Sequence, residues 1–268
     1  MISIVGAGWL GLPLGAALVS SGYRVVGTTT SENKLALIQE NGMEAHLLDV
    51  QTATIAELEL IMQGEILIVT IPPRGGGDNY RSMLDSLRDS AIANPVKKII
   101  YTSATSVYPA NNQEVNEKDA ILIRSPHSGV QLLEMEDIFR KADELHTTII
   151  RFGGLFGPGR HPGKWLAGRT DVAGADSPVN MIHLDDCIGV ISAVIRKNAW
   201  GRTYNATSPQ HPSRELFYQS ACTALGLEPP RWNQQSKPWK KVSSQKIIDE
   251  LGYLFTYPDP RQAFPPIL

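Results

Sequence analysis

Short runs of β-branched and aliphatic residues alternate along the chain with longer stretches in which apolar residues recur every three or four positions. The short runs predict strands at Ile2–Val5, Arg24–Val26, Ala45–Leu48, Ile66–Ile71, Ile99–Thr102 and Thr147–Arg151. The longer stretches predict helices at Leu10–Val19, Glu32–Glu40, Thr52–Leu60, Tyr80–Ala93 and Gly129–Leu145. Strands that alternate with helices in this way form parallel sheets covered on both faces. The pattern therefore predicts an α/β fold with a Rossmann-type, doubly wound parallel sheet.

The pattern changes after Arg151, where glycines and prolines interrupt regular structure at Gly153-Gly154, Gly157-Pro158-Gly159 and His161-Pro162-Gly163. A loop that reaches over a site is expected here. A helix over Asp186–Arg196 follows, and Asp185 or Asp186 is expected to cap it.

The C-terminal part is rich in proline and contains two predicted helices, Arg214–Leu225 and Ser243–Leu251. It has the composition of a small lobe rather than of a second core. We therefore predict a dinucleotide-binding core of residues 1–152 and 180–205, and a smaller substrate-side lobe of residues 153–179 and 206–268.

Charge and composition narrow the range of partners. The chain of 268 residues has 25 basic and 27 acidic side chains, and the basic ones are scattered, so we expect no nucleic-acid partner. No apolar run approaches the roughly 18 residues of a bilayer span, so no membrane partner is expected either. The two cysteines, Cys187 and Cys222, lack metal-ligand spacing, which predicts reduced, buried thiols and no metal site. The start Met1–Val5 has no basic leader, which predicts a cytoplasmic protein.

The densest basic group comprises Lys237, Lys240 and Lys241, which flank Pro238-Trp239. Two interpretations stay open for it: a small anion-binding patch and a solvated loop.

A glycine motif directly follows the first predicted strand and begins the first predicted helix. Gly6-Ala7-Gly8-Trp9-Leu10-Gly11 has the G-x-G-x-x-G spacing of dinucleotide-binding turns. The first glycine permits the tight turn, the second lets the backbone approach a pyrophosphate, and the third lets helix and strand pack closely. We predict that Gly6, Gly8, Trp9, Leu10 and Gly11 bind NADP or NAD. Trp9 either packs in the loop or covers the pyrophosphate.

The end of the second strand favours NADP over NAD. NAD-preferring sites place an acid there to bind the ribose hydroxyls. This chain instead has Gly27-Thr28-Thr29-Thr30-Ser31, whose hydroxyls can donate to a 2′-phosphate, with Lys34 as the nearby cation. Thr28 and Thr29 are therefore predicted cofactor contacts.

Two further loops follow the predicted strands at the edge where ligands of open α/β sheets bind. Asp49 is placed to contact the adenine, or to begin the following helical segment. Pro72 and Pro73 begin a loop with a defined, exposed backbone, so we assign both to the cofactor site. Arg74 contacts either phosphate or solvent.

Several segments carry a family resemblance: the glycine motif, Tyr101–Tyr108, Arg151–Gly159, Asn180–Asp186 and Tyr204-Asn205. With these residues the chain resembles the extended short-chain dehydrogenase/reductase superfamily, more closely its atypical, epimerase/dehydratase-like bacterial members. The resemblance implies an NAD(P)-binding fold along nearly the whole chain. It also implies that Thr105 and Ser106 face a substrate. Because this segment follows the fifth strand at the carboxyl edge of the sheet, Ser103 is expected at the cofactor, and the hydroxyls of Thr105, Ser106 and Tyr108 are expected to orient a substrate carbonyl.

The chain departs from the superfamily at its catalytic residues. The usual catalytic Ser or Thr corresponds to Ala104. The Tyr-x-x-x-Lys pair, in which the lysine lowers the tyrosine pKa, corresponds to Ser128 and Leu132. His127, with an unperturbed pKa of about 6.5, is the nearest conventional acid–base group.

Other polar residues have two open interpretations. Arg160, His161 and Lys164 either recognise a phosphate or carboxylate or face solvent. The run His183-Leu184-Asp185-Asp186 is expected to stabilise a helix start rather than to perform chemistry.

These observations support two hypotheses. The first is an NAD(P)-dependent epimerase or oxidoreductase that acts on a small carbonyl or sugar-nucleotide-like substrate through Thr105, Ser106, Tyr108 and His127. The second is a catalytically inactive NAD(P)-binding sensor or regulatory protein. The polar strip Ser103–Tyr108 and the cationic loop with Arg160, His161 and Lys164 favour the enzyme, and the missing Tyr-Lys pair favours the sensor.

Overall fold

The strands follow the β-branched runs closely. A computed structural model describes residues 1–73, 79–120 and 128–264. Its strands are β1 Ile2–Val5, β2 Val25–Thr29, β3 Glu44–Leu47, β4 Ile66–Val69, β5 Lys98–Ala104, β6 Gln113–Val115, β7 His146–Phe152, β8 Gly154–Phe156, β9 Met181–His183, β10 Thr203–Ala206 and β11 Lys240–Val242.

The helices lie between the strands. They are α1 Gly11–Ser20, α2 Leu35–Glu40, α3 Ile55–Ile61, α4 Tyr80–Ala93, α5 Ser128–Arg140, α6 Gly163–Leu166, α7 Leu184–Arg196, α8 Arg214–Thr223 and α9 Gln245–Leu251. Within the described ranges, no helix combines the length and the apolar character that crossing a membrane requires.

Seven strands form the main parallel sheet, in the order β10-β7-β5-β4-β1-β2-β3. The register pairs Ile4 of β1 with Gly27 of β2 and with Ile68 of β4. The strand order runs in one direction from β1 through β2 and in the other through β4, so β1 and β4 flank the point at which the order reverses. Open α/β sheets bind ligands outside the carboxyl ends of the strands at such a point. The predicted fold class is confirmed.

The chain divides into two compact units. The first comprises Met1–Ser103, Gln131–Ile150 and Ile191–Thr203. Its core packs aliphatic strand residues such as Val5 and Val69 against Leu84, Leu87 and other helix residues. Burial of these side chains supplies the main driving force for folding of the unit.

The second unit comprises Ala104–Val130, Arg151–Val190 and Tyr204–Leu268. It has its own aromatic cluster, in which the rings of Phe217 and Phe264 both lie within 6 Å of that of Phe156, at 5.9 and 5.6 Å. Two shorter parallel pairs, β8 with β9 and β11 with β6, lie in this unit. The domain boundaries predicted from the sequence stay a prediction.

Three local expectations were wrong at the ends of elements. β2 continues through Thr29, because Gly27 and Thr28 pair in register with β3. Helix α3 begins after Thr54, whose side chain forms a capping box with Glu57, so Asp49 does not begin it. Helix α5 ends at Arg140 rather than at Leu145.

Helix α7 begins at Leu184, so neither Asp185 nor Asp186 is its cap. The imidazole Nδ1 of His183 accepts a hydrogen bond from the Asp185 N–H at 3.2 Å. Asp186 is fully buried and accepts from the Tyr253 hydroxyl and from the N–H groups of Thr256 and Tyr257, so its carboxylate anchors the loop after α9. The expectation that this run serves structure agrees with these contacts, although the capping residue is different.

Candidate functional site

The glycine turn lies directly between β1 and α1. Gly6 has a φ of 101°, a conformation that favours glycine. Its N–H donates to Thr28 Oγ1 at 3.1 Å, and its carbonyl accepts from the Thr70 hydroxyl at 2.7 Å. Thr28 lies near the end of β2, and Thr70 directly follows β4. These two strands lie on either side of β1, so the two hydroxyls hold the turn from both sides. The sequence pattern offered no signal for Thr70.

The three glycines differ in what surrounds them. A Cβ built on Gly11 would lie 2.3 Å from the carbonyl oxygen of Gly6, which is a severe clash. A Cβ on Gly8 would lie no closer than 3.9 Å to its nearest neighbour, the same oxygen, and Gly8 is exposed. Gly11 is therefore required by the fold, whereas the space beside Gly8 is open.

The N-terminus of α1 has the character of an anion site. None of the described side chains caps it, and its first turn contains no acidic residue. The first N–H groups of a helix lack partners within the helix and carry partial positive charge. An anion placed against them is stabilised. Leu10 is buried beneath this turn, and Trp9 is half-buried within it.

The hydroxyl run at the end of β2 is partly used by the protein itself. Thr28 is 1% exposed, and its oxygen accepts from Gly6. Thr29 is also buried, and its Oγ1 accepts from the Ser31 N–H at 3.1 Å. Thr30 is exposed and Ser31 half-buried. Thr28 thus shapes the glycine turn, and the hydroxyls open to solvent come later in the run than expected.

The other predicted cofactor residues are placed as follows. Asp49 is exposed, with Oδ1 accepting from the Gln51 N–H at 3.0 Å. Pro72 and Pro73 are exposed just after β4. Arg74 lies outside the described residues. A contact of Asp49, Pro72 or Pro73 with a cofactor stays a prediction.

Ser103 has a partner that the sequence did not suggest. Its hydroxyl donates to the carboxylate of Glu136 at 2.7 Å, and Glu136 is fully buried in α5. Arg140, one helical turn later, completes the group with an N–O distance of 2.6 Å to the other carboxylate oxygen. This group fixes Ser103 against α5 within the first unit, and a buried carboxylate requires such partners.

The hydroxyl strip Thr105–Tyr108 belongs to the second unit and begins with a 3₁₀ turn. Thr105 is buried, whereas Ser106 is exposed. Tyr108 is 1% exposed, and its hydroxyl donates to Asn205 at 2.7 Å and accepts from Arg151 at 2.8 Å. Ser106 is therefore the hydroxyl of this strip that is open to solvent.

The environment of Tyr108 weakens it as an acid. Burial raises the pKa of its phenol to about 12, although Arg151 and Asn205 act in the opposite direction. Asn205 is held in turn, because its N–H donates to Glu117 at 2.8 Å. The network joins Arg151, Tyr108 and Asn205, three residues that the family resemblance had singled out separately.

His127 lies outside the described residues. In the loop before α6, the Nδ1 of His161 accepts from the Gly163 N–H at 3.2 Å. Burial and the nearby Lys164 lower the pKa of His161. Arg160 and Lys164 are exposed.

No model of a known protein family matches the chain. Protein YeeZ of Escherichia coli K12 is 36% identical over 269 residues, which is 97% of each chain. The chain belongs to the YeeZ family. The same identity holds for protein YeeZ of Escherichia coli O157:H7.

Solved structures place this YeeZ-family chain in the fold of the short-chain dehydrogenase/reductase superfamily, as the resemblance implied. A functionally unknown conserved protein from Silicibacter pomeroyi aligns with a TM-score of 0.79 at 22% identity, over 98% of this chain and 96% of that one. UDP-glucuronic acid 4-epimerase from Bacillus cereus, in complex with NAD, aligns with a TM-score of 0.78 at 20% identity, over 98% and 96%. A short-chain dehydrogenase/reductase superfamily protein from Agrobacterium tumefaciens with bound NAD aligns with a TM-score of 0.78 at 18% identity, over 97% and 94%.

Proposed function

We propose that this YeeZ-family chain binds a nicotinamide dinucleotide at the Gly6–Gly11 turn. The observation that carries the proposal is the open backbone at Gly8, beside a helix N-terminus that no described side chain caps. A pyrophosphate needs close approach to the backbone together with the positive end of a helix, and this turn offers both. The N–H groups of Gly8 and Leu12 donate to the carbonyls of Gly6 and Gly8, at 2.7 and 3.0 Å, so the proposal does not use these two donors. Solved structures of the same fold from Bacillus cereus and Agrobacterium tumefaciens hold NAD, which supports the assignment.

NADP is the preferred form in this proposal. The end of β2 carries hydroxyl groups where an NAD-preferring site carries an acid. The Oγ1 of Thr29 is engaged with Ser31, so Thr30, Ser31 and the exposed Lys34 are the groups available to a 2′-phosphate. Lys34 supplies the positive charge.

The reaction we propose is hydride exchange with a small carbonyl or sugar-nucleotide-like substrate, as in an epimerase or oxidoreductase. A bound nicotinamide would supply or accept the hydride. Support for the substrate class comes from the Bacillus cereus epimerase, which is also solved with UDP-glucuronic acid and NAD. In this chain, Thr105 and Ser106 would donate hydrogen bonds to a substrate oxygen.

Tyr108, with its raised pKa, would hold the strip in place through Asn205 and Arg151. His127 remains the proposed acid–base group.

Hydride transfer tests this reaction. Oxidation of NADPH or NADH is followed by absorbance with a panel of carbonyl compounds and UDP-sugars. Once a substrate is found, Ser106→Ala should lower turnover on the order of a hundredfold, because one well-placed donor contributes that much. The control is Ser86→Ala, which removes an exposed hydroxyl on α4. Equal rates for Ser106→Ala and the wild type would contradict the role given to the strip.

A sensor is the second candidate, because Ser128 and Leu132 stand where the superfamily has its tyrosine and lysine. A chain that binds the dinucleotide and changes conformation with its redox state, but transfers no hydride to any member of the panel, would favour the sensor over the enzyme.

A further inference from the structure

Lys240 lies on a short strand, β11, whose backbone is held along both edges. On one edge β11 pairs with β6, and Lys240 stands opposite Gln113. On the other edge the side chain of Asn180 donates to the Lys240 carbonyl at 2.9 Å and accepts from the Val242 N–H at 2.8 Å. The side-chain amide of Asn180 thus makes the two hydrogen bonds that a neighbouring strand would make, and these bonds fix the backbone at Lys240.

The two neighbouring lysines of β11 have different surroundings, since successive side chains of a strand point to opposite faces. Lys241 forms a salt bridge with Glu114, with 3.1 Å between Nζ and Oε2, and its side chain is 42% exposed. The Lys240 amine donates instead to the backbone carbonyl of Tyr108. Within residues 1–73, 79–120 and 128–264, no salt bridge joins Lys240 to a carboxylate.

Burial without a carboxylate is unfavourable for an ammonium group. It lowers the pKa of Lys240 to about 8. An ammonium has three N–H donors, and the Tyr108 carbonyl uses one of them, so two remain for another acceptor. Partly desolvated cations bind anions more strongly than fully hydrated ones, because their attraction is less screened. The held backbone, the spare donors and the lack of a carboxylate partner among the described residues together describe a cation prepared for an anionic ligand.

The surroundings of Lys240 place it beside the proposed substrate site. Tyr108, whose carbonyl it contacts, ends the hydroxyl strip in which Ser106 is exposed. The guanidinium of Arg151 lies 5.4 Å from the centre of the Tyr108 ring and donates to its hydroxyl, so a second cation braces the same residue. Lys240 is therefore attached directly to the segment that we assign to the substrate.

We propose that Lys240 binds an oxyanion of the substrate, a phosphate or a carboxylate, beside the Thr105–Tyr108 strip. This inference rests on the proposed function in that it assumes a substrate at the strip. The oxyanion would supply the negative charge that no carboxylate of the described residues supplies to Lys240. Of the lysines in the basic group, Lys241 already has its partner in Glu114, which distinguishes it from Lys240.

Chemical labelling tests the site without knowledge of the natural substrate. The whole protein is acylated with acetic anhydride, and the modification of each lysine is measured by mass spectrometry. The reaction is run with sodium chloride alone, with inorganic pyrophosphate and with glucuronate, at matched ionic strength. We expect pyrophosphate or glucuronate to slow the labelling of Lys240 several-fold and to leave Lys241 unchanged. Protection by pyrophosphate indicates a phosphate ligand, and protection by glucuronate a carboxylate. If neither protects Lys240, or if both lysines are protected equally, the proposal is wrong.

Variants give an independent measurement. Binding of the protective anion should weaken about tenfold in Lys240→Met, which corresponds to about 1.4 kcal/mol, and should persist in Lys240→Arg, which keeps the charge. Lys241→Met is the matched control and should bind as the wild type does. Circular dichroism establishes that each variant is folded, and a folded Lys240→Met with wild-type anion affinity would overturn the proposal.

The same preparations are titrated with NADPH and NADH, which keeps the two proposals separate. A wild type that binds neither dinucleotide, yet shows protection of Lys240, would contradict the proposed function and leave the anion site standing. Dinucleotide binding without protection of Lys240 would support the proposed function and contradict the anion site.

Discussion

At the scale of single residues, the proposed cofactor site depends most on Gly8 and Thr29. The missing Cβ of Gly8 leaves open space beside a helix N-terminus. Thr29 ends β2, where its hydroxyl accepts from Ser31 rather than pointing freely to solvent. Both positions were visible in the sequence as candidates, because the glycine spacing and the missing acid are properties of residue order alone.

Burial was not visible in the same way. Tyr108 was expected to face a substrate, and its hydroxyl is instead enclosed between Asn205 and Arg151. Ser103 was expected at the cofactor, and its hydroxyl is held by the buried Glu136. These partners lie far apart along the chain, so only the tertiary fold brings them together. Patterns in a single sequence identify polar residues near strand ends. They do not show which of these side chains form hydrogen bonds within the protein and which are open to a ligand.

We expect a substitution at Thr29 to change the proposed preference for NADP. Thr29→Asp should shift the ratio of NADPH to NADH affinity toward NADH by about tenfold or more, because a carboxylate repels a 2′-phosphate and accepts from a ribose hydroxyl. An aspartate also keeps an acceptor for the Ser31 N–H. Thr29→Asn is the matched control, since it preserves that acceptor without the charge. Dissociation constants from calorimetry give the result, and an identical ratio in the Asp and Asn variants would refute the role of charge.

At the scale of elements, the contact between β1, its turn and α1 is the feature that the sequence described best. G-x-G-x-x-G predicts the close packing found between Gly11 and the Gly6 carbonyl. Helix ends were described less well. Ser, Thr, Asp and Asn are strong caps in general, so Asp185 and Asp186 were natural choices for α7. In the structure His183 accepts the hydrogen bond at the start of α7. The buried carboxylate of Asp186 instead accepts from the backbone N–H of Thr256, in the loop after α9.

Stability should separate Gly11 from Gly8. Gly11→Ala forces its Cβ against a backbone carbonyl, so α1 must shift, at a cost of about 1–3 kcal/mol in the free energy of unfolding. Gly8→Ala meets no such contact, so its free energy of unfolding should lie within about 0.5 kcal/mol of the wild-type value. Urea denaturation in the absence of ligand measures both variants. If Gly11→Ala were as stable as Gly8→Ala, the packing argument would fail.

At the scale of the whole molecule, the alternation of strands and helices was sufficient to predict the parallel sheet, because parallel strands require crossover connections that appear in the sequence as helices. It was not sufficient to predict the short pairs β8 with β9 and β11 with β6, whose three-residue strands are too brief to leave a periodic signal. Lys240 lies on one of these short strands. The sequence therefore marked it only as part of a basic group with two open interpretations.

The central claim is that the Gly6–Gly11 turn binds a dinucleotide, and a titration of three proteins with NADPH and NADH tests it most directly. The proteins are the wild type, Gly8→Val and Ser20→Val, the last of which changes an exposed residue at the far end of α1. We predict saturable binding below millimolar concentration by the wild type and by Ser20→Val, and no binding by a folded Gly8→Val, because the valine side chain would occupy the space of the pyrophosphate. A wild type that binds neither dinucleotide, or a Gly8→Val that binds as well as the wild type, would contradict the account.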